Sequence, residues 1–178
     1  FLETNGLFEK TFVVIAGDHG ESLGEHGEIT HGFFLYQSAL HVPLIIVTPF
    51  PRFQGVVAAE PAGLVDVLPT VCEMAGLRVP PEVQGRSLVP AFFGRHTVKA
   101  PLVYSETFYP RFHYGWSELK SVQNARYKLI LAPVPELYDI TADPREENNL
   151  VGRQKKTYED LTAEAEASQY PLPPASFD

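Results

Sequence analysis

Apolar positions along the chain come in two textures. Phe12 to Ala16 (FVVIA) and Leu44 to Val47 (LIIV) are continuous apolar runs, the pattern of strands buried on both faces of a parallel sheet. Two such strands cannot make a buried sheet alone, so the pattern calls for further strands, and truncation of a longer chain accounts for it most simply. Ahead of the first run, Phe1 to Phe8 is amphipathic and predicts the end of a helix. Leu68, Val71, Cys72 and Ala75 recur at helical spacing, with Pro69 suited to a first turn and Gly76 to a carboxyl-terminal cap. That helix places Cys72 in a core rather than in a reaction.

From about Pro90 the texture becomes short and β-like, punctuated by Pro101, Pro110, Pro133 and Pro135. The runs are Leu102 to Glu106, Lys120 to Gln123, Tyr127 to Leu131 and Glu136 to Tyr138, with Asn124-Ala125 as a tight hairpin between the second and third. Gln154 to Ala167 reads as a charged, weakly amphipathic helix, and Tyr170 to Asp178 as a loose Pro-rich end. The expectation is α/β: a sheet-based part over 1–89, and a small antiparallel sheet with a terminal helix, an α+β subdomain, over 90–178.

Composition narrows the function. Lys and Arg number 14 and Asp and Glu 22, giving a formal charge of −8 with no basic run. Nucleic acid is therefore not the expected partner, because phosphate neutralisation needs clustered cations. An anionic substrate would need a local metal to offset the net charge. No apolar run approaches the roughly 20 residues that span a membrane. Cys72 is the single cysteine, so no disulfide forms within the chain and thiols do not indicate a compartment.

Chemistry concentrates between the two apolar runs, in Gly17 to His41, a connection rich in Gly, His and Glu. A link that long with little helical pattern is usually functional. Asp18 and His19 follow the first strand at once, at the strand edge where α/β sheets bind ligands. One carboxylate beside one imidazole suits Mn²⁺, Zn²⁺, Mg²⁺ or Ca²⁺. Gly17 and Gly20 let the backbone turn there, and His26 and His31 offer further ligands or cations for an anion. A solvated loop with chance histidines is the alternative. A second dense stretch, Phe108 to Trp116 (FYPRFHYGW), holds five aromatics, an Arg and a His. It reads either as a pocket wall, with Arg111, His113 and Trp116 meeting substrate, or as an aromatic plug between subdomains.

The run DHGESLGEHG, followed by THG and HVPLII, resembles the second metal-site motif of the sulfatases and of the similar phosphonate monoester hydrolases, both in the alkaline phosphatase superfamily. LVDVLPTVCEMAGL over 64–77, Gln84-Gly85-Arg86-Ser87-Leu88, Arg126 to Ile130, Glu136 to Asp139 and Asp143-Pro144 with Glu147 to Leu150 resemble the segments that follow it in that family. The likeness covers most of residues 7 to 165 and implies the carboxyl-terminal half of a sulfatase-type sheet plus the small subdomain.

By that resemblance Asp18 and His19 are ligands of a divalent metal (Ca, Mn, Mg or Zn), although many sulfatases carry Asn where His19 stands. His31 takes the place, 13 residues after Asp18, of a Lys that contacts sulfate or phosphate oxygens, and as an imidazolium its charge depends on pH. His26 is implied as support behind the ligands or as a substrate contact. The family's formylglycine nucleophile arises from Cys or Ser in a motif like C-x-P-x-R, which Cys72-Glu73-Met74 does not match. That nucleophile and the remaining metal aspartates are expected in an amino-terminal half of the same protein. The implied function is cleavage of an anionic sulfate ester, with the fragment inactive alone; the resemblance also admits an extracytoplasmic location. Alternatives on the same scaffold are a phosphodiester or phosphonate monoester hydrolase, a phospho-group transferase, and a non-catalytic binding module.

Overall fold

The computed structural model describes residues 1–95 and 102–167. Pro101 and the Tyr170 to Asp178 end lie outside the described residues.

The two apolar runs become β1 (Val13–Ala16) and β2 (Leu44–Val47). They pair with each other in antiparallel fashion, Val13 opposite Val47 and Ala16 opposite Leu44, rather than in the parallel arrangement expected from their continuous apolar character. A run apolar on both faces reports burial, not strand direction. Nor are both faces covered among the described residues, since Ile15 and Ile45 are exposed. Phe1 to Phe8 is not the end of a long helix. It forms successive turns leading into a single 3₁₀ turn at Phe8–Lys10.

Between β1 and β2 the chain makes a short helix, α1 (Gln37–Leu40). Beyond β2, a 3₁₀ turn at Leu64–Asp66 leads into α2 (Val67–Met74), which Gly76 closes at φ 67°. Cys72 is buried on α2 as its spacing implied. The buried Asp66 carboxylate accepts hydrogen bonds from the Gly63 N–H (3.0 Å) and the Arg86 N–H (2.8 Å), and Thr70 Oγ1 accepts one from the Leu88 N–H (2.8 Å). These polar groups stitch the Gln84 to Leu88 loop to the helix and explain why an Asp and a Thr occupy an apolar stretch. Gly85 is required there, since a Cβ would fall 1.9 Å from the Val65 carbonyl oxygen. A one-turn helix, α3 (Val89–Phe92), follows.

The remaining strands form one antiparallel sheet in chain order: β3 (Val103–Thr107), β4 (Leu119–Gln123), β5 (Tyr127–Leu131) and β6 (Glu136–Asp139). Register puts Leu129 between Val122 and Leu137. These three side chains pack with Leu161 and Ala165 of the terminal helix α5 (Lys155–Ala167) as a fully buried cluster. Each large aliphatic group buried this way contributes roughly 1.5–3 kcal/mol. Because successive strand side chains alternate between faces, Lys128 and Ile130 lie opposite Leu129. That face meets Phe33 to Tyr36, the chain leading into α1, around a cavity of about 390 Å³.

The Phe108 to Trp116 stretch contains a helix that its aromatic texture did not suggest, α4 (Tyr109–Tyr114). Pro110 lies in its first turn and Gly115 closes it at φ 67°, the usual punctuation of a short helix.

Candidate metal and anion site

Asp18 and His19 leave the end of β1 on an exposed turn whose path is set by close packing on α1. The Gly20 N–H donates to the Ala39 carbonyl at 2.7 Å. A Cβ at Gly20 would fall 2.1 Å from the Ser38 carbonyl oxygen, so only glycine lets the turn press this closely. Ser22, buried behind it, places its Oγ 2.6 Å from Ser38 Oγ and donates to Glu28 Oε2. Glu28, also buried, accepts the Phe33 N–H at 2.9 Å. The loop is therefore held by polar contacts made inward, which leaves the outward groups free for chemistry.

Those outward groups converge. His19 Nδ1 lies 2.9 Å from the Gly20 carbonyl, so that nitrogen carries the proton and Nε2 keeps its lone pair. Nε2 stands 3.8 Å from Asp18 Oδ2, a separation that one ion with bonds of about 2.0–2.5 Å spans. The Asp18 carboxylate is held below its usual range, first by its own backbone N–H and that of His19. The His19 pKa is raised, chiefly by the Gly20 carbonyl. His31 stacks on His19 with ring centroids 3.7 Å apart, and its Nδ1 sits 2.7 Å from Glu21 Oε1. His19, Glu21 and His31 each place a ligand atom within 4.8 Å of the others. This group of one carboxylate and two imidazoles, with Asp18 adjoining it through His19, is of a chemistry that suits a divalent cation.

Glu21 was not anticipated from the sequence. One Glu among three in the loop carries no signal of its own; its spacing to His31 acquires meaning only once the loop folds back on itself. His26 stands apart from this cluster. Its ring stacks on Tyr36 at 3.6 Å, its Nε2 meets the Arg145 carbonyl at 3.0 Å, and its own φ is +53°. It thus ties the loop to the chain beyond β6.

The aromatic stretch adjoins the cluster through Phe33, whose ring meets Tyr109, Tyr114 and Trp116. Thr107 Oγ1 donates to the Gly32 carbonyl at 2.6 Å, fixing β3 beside His31. Phe112, Tyr114 and Trp116 are more than half exposed among the described residues. Trp116 lines the cavity that Phe33, Leu119, Ile130 and Val134 also line. Arg111 pairs with Glu118 at 3.1 Å and His113 lies against Tyr109; neither lines that cavity.

Comparison with known proteins bears on the family. Residues 24–169 match the family described as N-sulphoglucosamine sulphohydrolase, C-terminal. A Delta 4,5-hexuronate-2-O-sulfatase of Bacteroides thetaiotaomicron is 33% identical over 165 residues, covering 88% of this chain and 33% of that protein. A solved protein in complex with its substrate D-glucosamine-2-N,6-O-disulfate superposes with a TM-score of 0.74 at 30% identity, covering 94% of this chain and 36% of that one. The phosphonate monoester hydrolase of Agrobacterium radiobacter superposes at TM-score 0.77 and 22% identity, covering 93% and 36%, a likeness of fold. The chain spans about a third of the length of these proteins. No helix among the described residues is long and apolar enough to cross a membrane. The family match and the relatives together place the chain in the sulfatase family, in its carboxyl-terminal portion.

Proposed function

We propose that this chain supplies half of the metal and anion site of a sulfuric ester hydrolase acting on a sulfated sugar. The observation that carries the reading is the cluster of His19, Glu21 and His31 beside Asp18 at the end of β1. The names of the relatives, a hexuronate sulfatase and a glucosamine disulfate complex, support the substrate class. Asp18 and His19 would hold the divalent ion (Ca, Mn, Mg or Zn), and a bound ion supplies neutralisation of the ester's charge. His31, with Nδ1 engaged by Glu21, keeps Nε2 for an oxygen of the transferring group. His26 braces the loop from behind. Arg111, His113 and Trp116 would meet the sugar beside it.

The rest of the site, a formylglycine nucleophile and further metal aspartates, belongs in this reading to an amino-terminal half of the same protein. Residues 1–89 would join that half as catalytic domain, with 90–178 as the attached subdomain. Residues 1–178 alone would then be inert, since two committed ligands leave a hard cation well short of about six and no nucleophile is held at attack distance. The test is Asp18→Ala in the full-length protein, assayed on sulfated monosaccharides and on phosphodiester and phosphonate monoester controls. Loss of measurable sulfate release is expected. Near-normal turnover in that variant with metal still bound would overturn the assignment, and activity only on the phosphorus esters would move it to that chemistry.

A further inference from the structure

The most deeply buried charges lie outside the metal loop. Lys128 on β5 and Glu146 beyond β6 are 0% and 2% exposed, with Nζ and Oε1 2.8 Å apart. Opposite charge holds the two together at that distance. Burial lowers the Lys128 pKa, opposed by the Glu146 carboxylate. Such pairs are often no more stabilising than apolar residues of the same volume, which directs attention to what else the pair does.

Glu146 uses its second oxygen elsewhere. Oε2 accepts the backbone N–H of Gln37 at 2.7 Å, and Gln37 is the first residue of α1. Tyr36, just before it, is fixed similarly: its hydroxyl donates to Glu136 Oε2 at 2.8 Å, as does that of Tyr138. From α1 the contacts continue to the metal loop through Ala39 and Gly20, through Ser38 and Ser22, and through the close packing of Gly20 on the Ser38 carbonyl. Glu146 itself has φ +57°, a region that bulky residues seldom adopt and that surrounding contacts must hold in place.

We propose that Glu146, itself oriented by Lys128, is a positioning residue for the metal loop: it fixes the start of α1, and α1 fixes Gly20 and with it Asp18 and His19. This rests on the metal reading given above. The relay runs from the small sheet to the loop along one unbroken line of contacts. It also gives the subdomain a part in metal binding that needs no ligand from it.

The link can be cut without touching the buried pair. Gln37→Pro removes the donated N–H at the first helical position, where proline is tolerated and where Tyr36 already has the extended backbone that precedes proline. In the full-length protein this variant should stay folded yet speed amide exchange at Gly20 about tenfold with no metal present. Its Mn²⁺ affinity, by calorimetry, should fall about 10- to 100-fold, the range found when groups supporting metal ligands are lost. Lys128→Met with Glu146→Gln keeps an acceptor for Gln37 and should hold Gly20 exchange and Mn²⁺ affinity within about threefold of the parent. Parent-like Gly20 exchange in Gln37→Pro overturns the relay, as does a change that only tracks global stability. Asp18→Ala separates the two claims. If it weakens Mn²⁺ while Gln37→Pro does not, the relay fails and the metal reading stands. If it leaves Mn²⁺ unchanged, the metal reading fails and Gly20 exchange alone decides the relay.

Discussion

The loop from Gly17 to His41 and the sheet from β3 to β6 hold their shapes by different means. In the sheet, Val122, Leu129 and Leu137 stack in register and α5 seals them, so apolar area does most of the holding. In the loop, Leu35 and Ala39 are the only fully buried hydrophobics. Its path is set instead by Ser22 and Glu28 within it, and by Glu136, Arg145 and Glu146 reached across the molecule. Apolar packing tolerates small shifts because it is non-directional, whereas a hydrogen bond weakens steeply with misalignment. A segment that must aim ligands gains from the second kind of support, and a segment that must only persist gains from the first.

Substitutions in the two regions should therefore fail differently. Leu129→Ala should cost about 2–5 kcal/mol of stability, as large-to-small core changes do, read as a shifted urea midpoint with substrate preference intact. Altered preference at full stability would erase the contrast. His31→Ala should leave that midpoint in place and lower sulfate release about 100-fold, while His31→Lys retains most of it. Equal behaviour of the two variants would remove His31 from the anion site. Trp116→Ala should change the ranking of sulfated sugars more than it changes melting temperature, since the ring is 60% exposed; the opposite outcome would give Trp116 a structural part.

The smallest effect belongs to the sheet's charged rim. Asp139 accepts from the Thr141 hydroxyl and from Arg126 Nε at 2.7 and 2.8 Å. These contacts, Thr141 foremost, hold its pKa at about 2. A depressed carboxylate contributes stability above its unfolded pKa of about 3.9, and loses it as pH falls through the folded value. The acid slope of the melting temperature between about pH 4 and pH 2 should flatten in Asp139→Asn. An unchanged slope would show that other carboxylates set it.

The sheet was legible because its strands alternate and its turns carry Pro, Asn and Gly. β5 coincides with the expected run, and β3, β4, β6 and α5 begin or end a single residue away. Strand direction in β1 and β2 was not legible, since a continuous apolar run looks alike in either orientation. α4 hid behind aromatic content, though Pro110 and Gly115 were correct signals for its ends. In the candidate site, Asp18, His19 and His31 are the residues that motif and spacing single out. Glu21, Lys128 and Glu146 could not, because their partners are brought together only by folding: Glu21 meets His31 after the loop turns back, and Glu146 reaches Gln37 from 109 positions away.

Those long separations also bear on the order of events during synthesis. His26 meets Arg145 across 119 positions, Gln37 meets Glu146 across 109 and Tyr36 meets Glu136 across 100. A ribosome adds roughly 5–20 residues per second, so the loop emerges about 5–20 s before its anchors exist. During that interval the loop has only the contacts made within the chain already emerged, among them those of Ser22, Glu28 and Ser38, and its histidines lack their later anchors. Emergence of Glu136, Arg145 and Glu146 is then the step that sets the loop, so the chain around β6 times the ordering of residues about a hundred positions earlier.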